Sequence, residues 1–335
     1  MQRTQALNRY WPGFAVTIVI ALAASFVASA WGGPQLLYAL LFGLGFHFLA
    51  HEPQCVPGVQ FCSSTLLRIG VALLGARITL GQVAALGVAP LVLVLCAMVA
   101  TIGLGWLLSR WLRRPVAEGI LSGGAVAICG ASAALAISAV LPRTRDNEQY
   151  TLLTVLGVTS LSTAAMVIYP LLARLGGLPD EAVGVFLGGA IHDVAQVVGA
   201  GYSISNTAGD TATIVKLTRV AFLVPFVLAI ALCFGARGAS GQLAAPRLPV
   251  FLGGFVVLML LNSAGLIPAL MADHLNTLSR ICLVMAIAAS GVKTSVRALA
   301  SLGWKPVVML VAETLWIASL MLVGLWLLQA PGHTA

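Results

Sequence analysis

Apolar stretches of roughly 18 residues or more recur from one end of this chain to the other. A helix of that length crosses the hydrocarbon core of a bilayer, because each residue adds about 1.5 Å to a core about 30 Å thick. Only 8% of the residues are charged and 60% are hydrophobic, whereas about a quarter of a soluble domain is charged. The short alternating segments typical of a β-barrel are absent. The sequence therefore predicts an all-α polytopic membrane protein.

The apolar stretches predict eleven spans, the first being an N-terminal helix that we expect to be retained. They cover residues 11–31, 34–51, 62–82, 88–109, 116–141, 150–174, 182–203, 212–235, 249–268, 276–297 and 304–328. Lys and Arg collect in the connections on one side, so these charges indicate topology rather than nucleic-acid binding. We expect a bacterial-type inner membrane location, with the N-terminus cytoplasmic and the C-terminus outside.

Three short matches, in the same order along the chain, indicate an internal repeat. Their spacing grows slowly from 145 to 158 residues, and they pair residues 43–47 with 188–192, residues 66–70 with 217–221, and residues 130–132 with 288–290. Each copy would hold five spans, an odd number, so the second copy enters the membrane from the opposite side. Inverted repeats of this kind are typical of secondary transporters. The predicted domains are residues 1–33, 34–176 and 177–335.

Glycine and small polar residues cluster in the fifth and tenth spans. The fifth contains GGAVAICGASAALA (123–136) and the tenth contains AIAASGVKTS (286–295). Glycines at matching places in two repeats favour broken helices that frame a binding site. Close packing of straight helices through small residues is the alternative. The candidate substrate-binding residues at these places are Cys129, Gly130, Ser132, Ser290 and Gly291.

Several basic residues fall inside or beside predicted spans, where a fixed charge is costly and often functional. Arg219 lies well inside the eighth span and Lys293 follows the glycines of the tenth, so both are expected to neutralise an anionic substrate. Lys216 and Arg68 lie nearer the span ends. For these two, extension of the side chain to the membrane surface is an equally good interpretation.

The seventh span, GGAIHDVAQVVGAG (188–201), carries the polar residues His192, Asp193 and Gln196. Residues 192 and 196 are four apart, which would place them on one face of a helix. With Lys216, this group is a candidate for proton or ion coupling; pairing of Asp193 with a nearby cation is the structural alternative. Asp193 is favoured, because the matching segment of the first copy keeps the histidine, His47, but has no acid.

The chain resembles the YeiH family of sulfate exporters at four motifs. They are LLRIGVALLGARITL (66–80), ICGASAALA (128–136), GGAIHDVAQVVGAG (188–201) and KLTRVAFLVPFVL (216–228). The resemblance implies an inner-membrane protein distantly related to bile-acid symporters and sodium–proton antiporters. It also implies two inverted five-helix repeats whose fourth helices, here the fifth and tenth spans, break and cross. Ala133-Ala134 and Ser138-Ala139 depart from the family pattern.

These features predict a secondary active transporter, an exporter of a small anion such as sulfate, sulfite or a sulfonate. The energy would come from proton or sodium coupling through alternating access. No GxxxxGK[ST] motif is present, and we expect no enzymatic activity, no cofactor and no bound metal. Two alternatives stay open: a passive anion channel, and an intramembrane serine hydrolase or protease that pairs Ser132 or Ser290 with His192. The expected partners are the anion, H⁺ or Na⁺ and the bilayer, without nucleic acid; the oligomeric state, monomer or homodimer, is open.

Overall fold

A computed structural model describes residues 2–141, 145–233, 250–294 and 304–329 of the chain. These residues form helices and connecting turns, and no strand occurs among them. The helices of the first half are α1 (Gln2–Trp31), α2 (Gln35–Gly45), α3 (Val56–Phe61), α4 (Leu67–Leu74), α5 (Leu80–Ala85), α6 (Val88–Trp111), α7 (Val116–Ala127) and α8 (Ala131–Ser138). A 3₁₀ turn (His47–His51) and a π turn (Cys62–Leu66) complete this half.

The second half continues with eight helices among the described residues. They are α9 (Arg145–Leu175), α10 (Asp180–Ala190), α11 (Val194–Ile204), α12 (Asn206–Ala221), α13 (Leu223–Cys233), α14 (Val250–Ser263), α15 (Ala269–Lys293) and α16 (Trp304–Gln329). Seven described helical stretches are long and apolar enough to cross a membrane; two of them, Val56–Leu74 and Asn206–Cys233, join consecutive elements. Four shorter apolar helices accompany them. Every predicted span contains helix, so the prediction of an all-α polytopic membrane protein is confirmed.

The prediction that the tenth span is broken is wrong. Helix α15 runs without interruption through Ser290 and Gly291 to Lys293. A Cβ atom on Gly291 would lie 2.4 Å from the carbonyl oxygen of Leu40, and one on Gly43 would lie 2.3 Å from that of Ala288. The glycines therefore allow close packing of α2 against α15, the alternative that the sequence had left open.

The seventh span is interrupted instead. Helix α10 ends at Ala190 and α11 begins at Val194. The fifth span is interrupted as predicted, between Ala127 and Ala131. Helices α2 and α10 each contain eleven residues and begin at residues 35 and 180, which is the spacing of 145 seen in the sequence match. The division into repeats at residues 34–176 and 177–335 stays a prediction.

The described chain forms two compact units that interleave along the sequence. Of the described residues, the first contains 2–85, 198–210 and 250–294, and the second contains 86–141, 145–197, 211–233 and 304–329. In the first unit, α15 packs against α1, α2 and α4. In the second unit, α7 packs against α6, α9 and α16, and both interrupted spans have their breaks in this unit.

Candidate functional site at two helix breaks

The two interruptions in the second unit have different backbone geometry. Gly130 precedes α8 with φ of +63°, a left-handed conformation that favours glycine because a side chain would strain it. Ile191 follows α10 in an extended conformation. Each break exposes the carbonyl end of one half-helix and the amide end of the next, groups that a continuous helix would pair internally.

Lys216 of α12 joins the two breaks. Its Nζ donates hydrogen bonds to the carbonyl oxygens of Ile128, at 2.8 Å, and Ile191, at 2.9 Å. The side chain is fully buried. Extension of Lys216 to the membrane surface, the alternative left open by the sequence, is therefore wrong. Arg68, by contrast, is exposed on α4.

Arg219, one turn further along α12, bonds the same two half-helices. It is fully buried, and its guanidinium donates five hydrogen bonds of 2.7 to 3.1 Å, all to backbone carbonyl oxygens. The acceptors are Val126, Ala127, Gly188, Gly189 and Ile191. The planar fork of a guanidinium suits this task, because it presents donors in several fixed directions at once.

The electrostatic reason for this arrangement lies at the C-terminal ends of α7 and α10. Each helix carries roughly half a negative charge at its C-terminus, concentrated on carbonyls that lack a helical partner. Lys216 and Arg219 offset those partial charges, and the carbonyls in turn replace the water that the two cations lost on burial. The donors of both cations are directed at protein carbonyls.

The amide ends of α8 and α11 are the accessible part of the breaks. Ser132 is exposed, and Ala131 and Asp193 are partly exposed. Among the described residues, no acceptor takes a hydrogen bond from the backbone amides of Ala131 and Ser132. Cys129, which is buried, interacts with the backbone of Ala133 in the first turn of α8.

Asp193 caps the start of α11. Its Oδ1 accepts a hydrogen bond of 2.8 Å from the Ala195 amide, while its own amide donates to Oγ of Ser162 at 3.0 Å. Asp193 also lies close enough to Lys216 to interact electrostatically. A capping carboxylate stabilises a helix N-terminus, so this contact gives Asp193 a structural role beside the coupling role predicted for it.

His192 and Gln196 do not share a helical face, because α11 begins only at Val194. Nε2 of His192 lies 3.0 Å from Oγ1 of Thr314 on α16. Nε2 of Gln196 donates to Oγ1 of Thr163 on α9, at 2.7 Å. The two side chains therefore connect the second break to two different neighbouring helices.

Most of the predicted site residues belong to one compact unit, and three belong to the other. Cys129, Gly130, Ser132, Lys216, Arg219, His192, Asp193 and Gln196 all belong to the second unit. Ser290, Gly291 and Lys293 belong to the first. Nζ of Lys293 donates to Oε1 of Gln60 at 2.6 Å. A role of these three residues in substrate binding stays a prediction.

The sequence did not predict the hydrogen-bond partners that α9 and α16 provide for Asp193 and His192. Ser162 and Thr314 are small hydroxyl residues in apolar helices, and such residues are too frequent in membrane helices to be singled out. Glu313 is an acid inside the last predicted span, and the sequence around it offers no partner. Ser122 of α7 now supplies one, since its Oγ lies 2.7 Å from Oε1 of Glu313.

The hydrogen bond between His192 and Thr314 also bears on the alternative of an intramembrane serine hydrolase. A serine nucleophile needs a base within hydrogen-bonding distance. Among the described residues, no hydrogen bond joins His192 to Ser132 or Ser290, and its Nε2 is next to a threonine instead. The geometry gives a serine–histidine pair no support.

The chain is similar to membrane proteins of several bacteria over nearly its whole length. It is 50% identical over 318 residues to a UPF0324 membrane protein of Chlorobaculum tepidum, covering 94% of this chain and 89% of that protein. It is 49% identical over 322 residues to the UPF0324 membrane protein TauZ of Paracoccus denitrificans, covering 95% of each. A UPF0324 membrane protein of Rhizobium meliloti is 48% identical over 331 residues, or 98% of this chain and 95% of its own length.

The family model described as Conserved hypothetical protein 698 matches residues 12–310, a stretch that includes both helix breaks, Lys216 and Arg219. Such a match, together with relatives that share about half of their residues with this chain, establishes the family. The chain belongs to the family of Conserved hypothetical protein 698, among the UPF0324 membrane proteins.

Proposed function

We propose that this protein is a secondary active transporter that exports a small anion such as sulfate, sulfite or a sulfonate. Transport would be coupled to protons or sodium through alternating access. The observation that carries the proposal is the distribution of partial charge between the buried and the accessible helix ends at the two breaks. The negative ends of α7 and α10 are buried and bonded by Lys216 and Arg219, whereas the positive ends of α8 and α11 are the accessible ones.

This distribution of charge favours the binding of an anion. Lys216 and Arg219 together outweigh the two carbonyl ends, each of which carries roughly half a charge. The amide ends of α8 and α11 add further positive potential, which the one carboxylate of Asp193 offsets only in part. Anions bind readily at helix N-termini, where backbone amides point at the ligand. The substrate would therefore contact the first turns of α8 and α11, and Arg219 would act on it through the field rather than through contact.

The choice of sulfate, sulfite and sulfonates rests on the resemblance to sulfate exporters. Purified protein can be screened against these anions and against carboxylates by thermal unfolding, because a ligand that binds the folded state raises its apparent stability. Saturable, gradient-driven flux in proteoliposomes would support a transporter. Flux without saturation or coupling would support the passive channel instead.

A charge introduced at Ser132 tests the location of the site. An aspartate in the first turn of α8 interacts favourably with the helix dipole, so Ser132→Asp is expected to fold with unchanged or slightly higher stability. The same carboxylate would repel an anion, so we expect saturable anion flux to fall by at least tenfold. The matched control is Ser138→Asp, at the other end of α8, which is expected to retain flux. Wild-type flux in Ser132→Asp would contradict the proposed site.

A further inference from the structure

Glu313 is a fully buried acid in the middle of α16. Its Oε1 accepts a hydrogen bond of 2.7 Å from Oγ of Ser122 on α7. Its Oε2 is buried and has no hydrogen-bond partner among the described residues. A carboxyl group buried with one oxygen unsatisfied is costly, and groups of this kind inside membrane proteins are usually functional.

The chain makes room for this carboxyl group where α6 crosses α7. A Cβ atom on Gly105 would lie 2.4 Å from the carbonyl oxygen of Gly119 and 2.7 Å from Oε1 of Glu313. At this crossing, α6 presents glycine rather than a charged side chain. Two helices therefore pack closely around an acid to which neither contributes a cation.

The other ionisable groups near Glu313 come from α7, α9 and α10. Tyr150 of α9 interacts with both Ser122 and Glu313. Glu118, one turn before Ser122, bonds Arg114 at 2.7 Å. From the break after α10, His192 bonds Thr314, the residue next to Glu313. Arg114 is thus engaged by another carboxylate, and no ion pair involves Glu313 among the described residues.

Glu313 and Thr314 also connect α16 to both interrupted spans. Glu313 bonds Ser122 of α7, the half-helix before the first break. Thr314 bonds His192, inside the second break. A change in the charge of Glu313 would alter its contact with α7 directly, and any resulting shift of α16 would reach the second break through the neighbouring residue.

We propose that Glu313 binds and releases the proton that is coupled to movement of the interrupted helices. The step is a simple acid dissociation: the carboxyl O–H bond breaks, the electron pair stays on the carboxylate, and the proton passes to water. This inference deepens the proposed transport function and depends on it for its physiological meaning. It replaces Asp193, which caps α11, with Glu313 as the coupling acid.

The first test measures protonation without any substrate. Infrared difference spectra of the purified protein between two pH values should show a carboxylic-acid C=O band that titrates. We expect the band to be absent in Glu313→Gln and retained in Asp193→Asn. A band lost in Asp193→Asn and kept in Glu313→Gln, or the absence of any titrating band, would overturn the assignment. If Glu313→Gln does not fold, Ser122→Ala decides: removing the bonded hydroxyl should shift the band, and an unshifted band counts against Glu313.

The second test measures coupling, with sulfate as the probe in proteoliposomes. In the wild type, a single coupled proton changes apparent sulfate affinity by up to tenfold per pH unit. In Glu313→Gln this dependence should flatten and accumulation driven by a pH gradient should be lost. Persistence of gradient-driven accumulation in the variant would refute the proposal. If the wild type moves no sulfate, the proposed function fails for that anion, while the infrared result still decides whether Glu313 exchanges a proton.

Discussion

At the scale of single residues, Lys216 and Arg219 show how two buried cations can be structural. A charge inside a bilayer is expensive, so such residues are usually assigned to substrate or to a paired acid. Here, Nε, Nη1 and Nη2 of Arg219 all donate to backbone carbonyls at the ends of α7 and α10. A loss of transport on mutation would therefore not by itself identify Arg219 as a substrate ligand.

A conservative substitution of Arg219 distinguishes a structural role from a role as a substrate ligand. A lysine at position 219 keeps the positive charge, but a single ammonium cannot reach carbonyls of both half-helices in the way a guanidinium does. Because buried acceptors would be left unsatisfied, we expect Arg219→Lys to lower the free energy of unfolding by about 2–4 kcal/mol. Thermal unfolding in detergent measures this change. Arg68→Lys, at an exposed site, is the control and should change stability by less than about 0.5 kcal/mol; an equally stable Arg219→Lys protein would point back to a role in substrate binding.

At the scale of helices, the same small residues have opposite effects in two spans. Gly43 and Gly291 let α2 and α15 pack closely and leave both helices intact. Gly130 adopts a left-handed conformation at a true break. The sequence predicted the break at Gly130, but it could not distinguish a glycine that allows close packing from a glycine that breaks a helix. The difference depends on which atoms of a distant helix lie against the glycine.

The break in the seventh span escaped prediction for a related reason. GGAIHDVAQVVGAG has no proline and reads as a continuous helix. Its unwound residues are stabilised by partners far away in sequence: Lys216 and Arg219 bond the carbonyl side, and Ser162 bonds the amide of Asp193. Local sequence does show polar residues there, and two of them, His192 and Asp193, lie within the interruption. The fold class could be predicted, and most of the candidate site residues lie at or near the two breaks, but the donors and acceptors that bond them could not be predicted.

Two glycines of α2 provide a direct test of the α2–α15 packing. Gly43→Ala would place a methyl group 2.3 Å from the carbonyl oxygen of Ala288, whereas Gly45→Ala meets no atom within 4 Å. We expect Gly43→Ala to destabilise the protein by about 1–3 kcal/mol because the helices must separate. Gly45→Ala should be neutral or slightly stabilising, since alanine favours helix. Equal thermal stabilities of the two variants would show that α2 and α15 are not closely packed.

At the scale of the whole molecule, the occupied carbonyls bear on which ion the proposed transport would use. Transporters with unwound helices often coordinate sodium with the freed backbone carbonyls. In this protein, Lys216 and Arg219 already bond the carbonyls at both breaks. Under the proposed transport function, this occupancy favours protons over sodium.

Ion replacement tests this expectation. Anion flux into proteoliposomes should be the same in sodium and in potassium buffers of equal pH, and it should respond to a pH gradient. Dissipating the pH gradient with a protonophore is the internal control. A flux that rises severalfold on adding sodium at constant pH would contradict the argument, and would require that sodium displace a cationic side chain or bind elsewhere.

The buried positions of Lys216 and Arg219 also constrain how the protein is made. Helix α12 carries two cations into hydrocarbon, and alone it would insert poorly. The carbonyl acceptors that compensate them lie on α7 and α10, which precede α12 in the chain and are therefore synthesised first. During biosynthesis, the acceptors are already present when the cations emerge from the ribosome. Insertion of α12 would thus depend on earlier helices that have not yet left the translocation machinery, which makes the second unit a cooperative product of co-translational assembly.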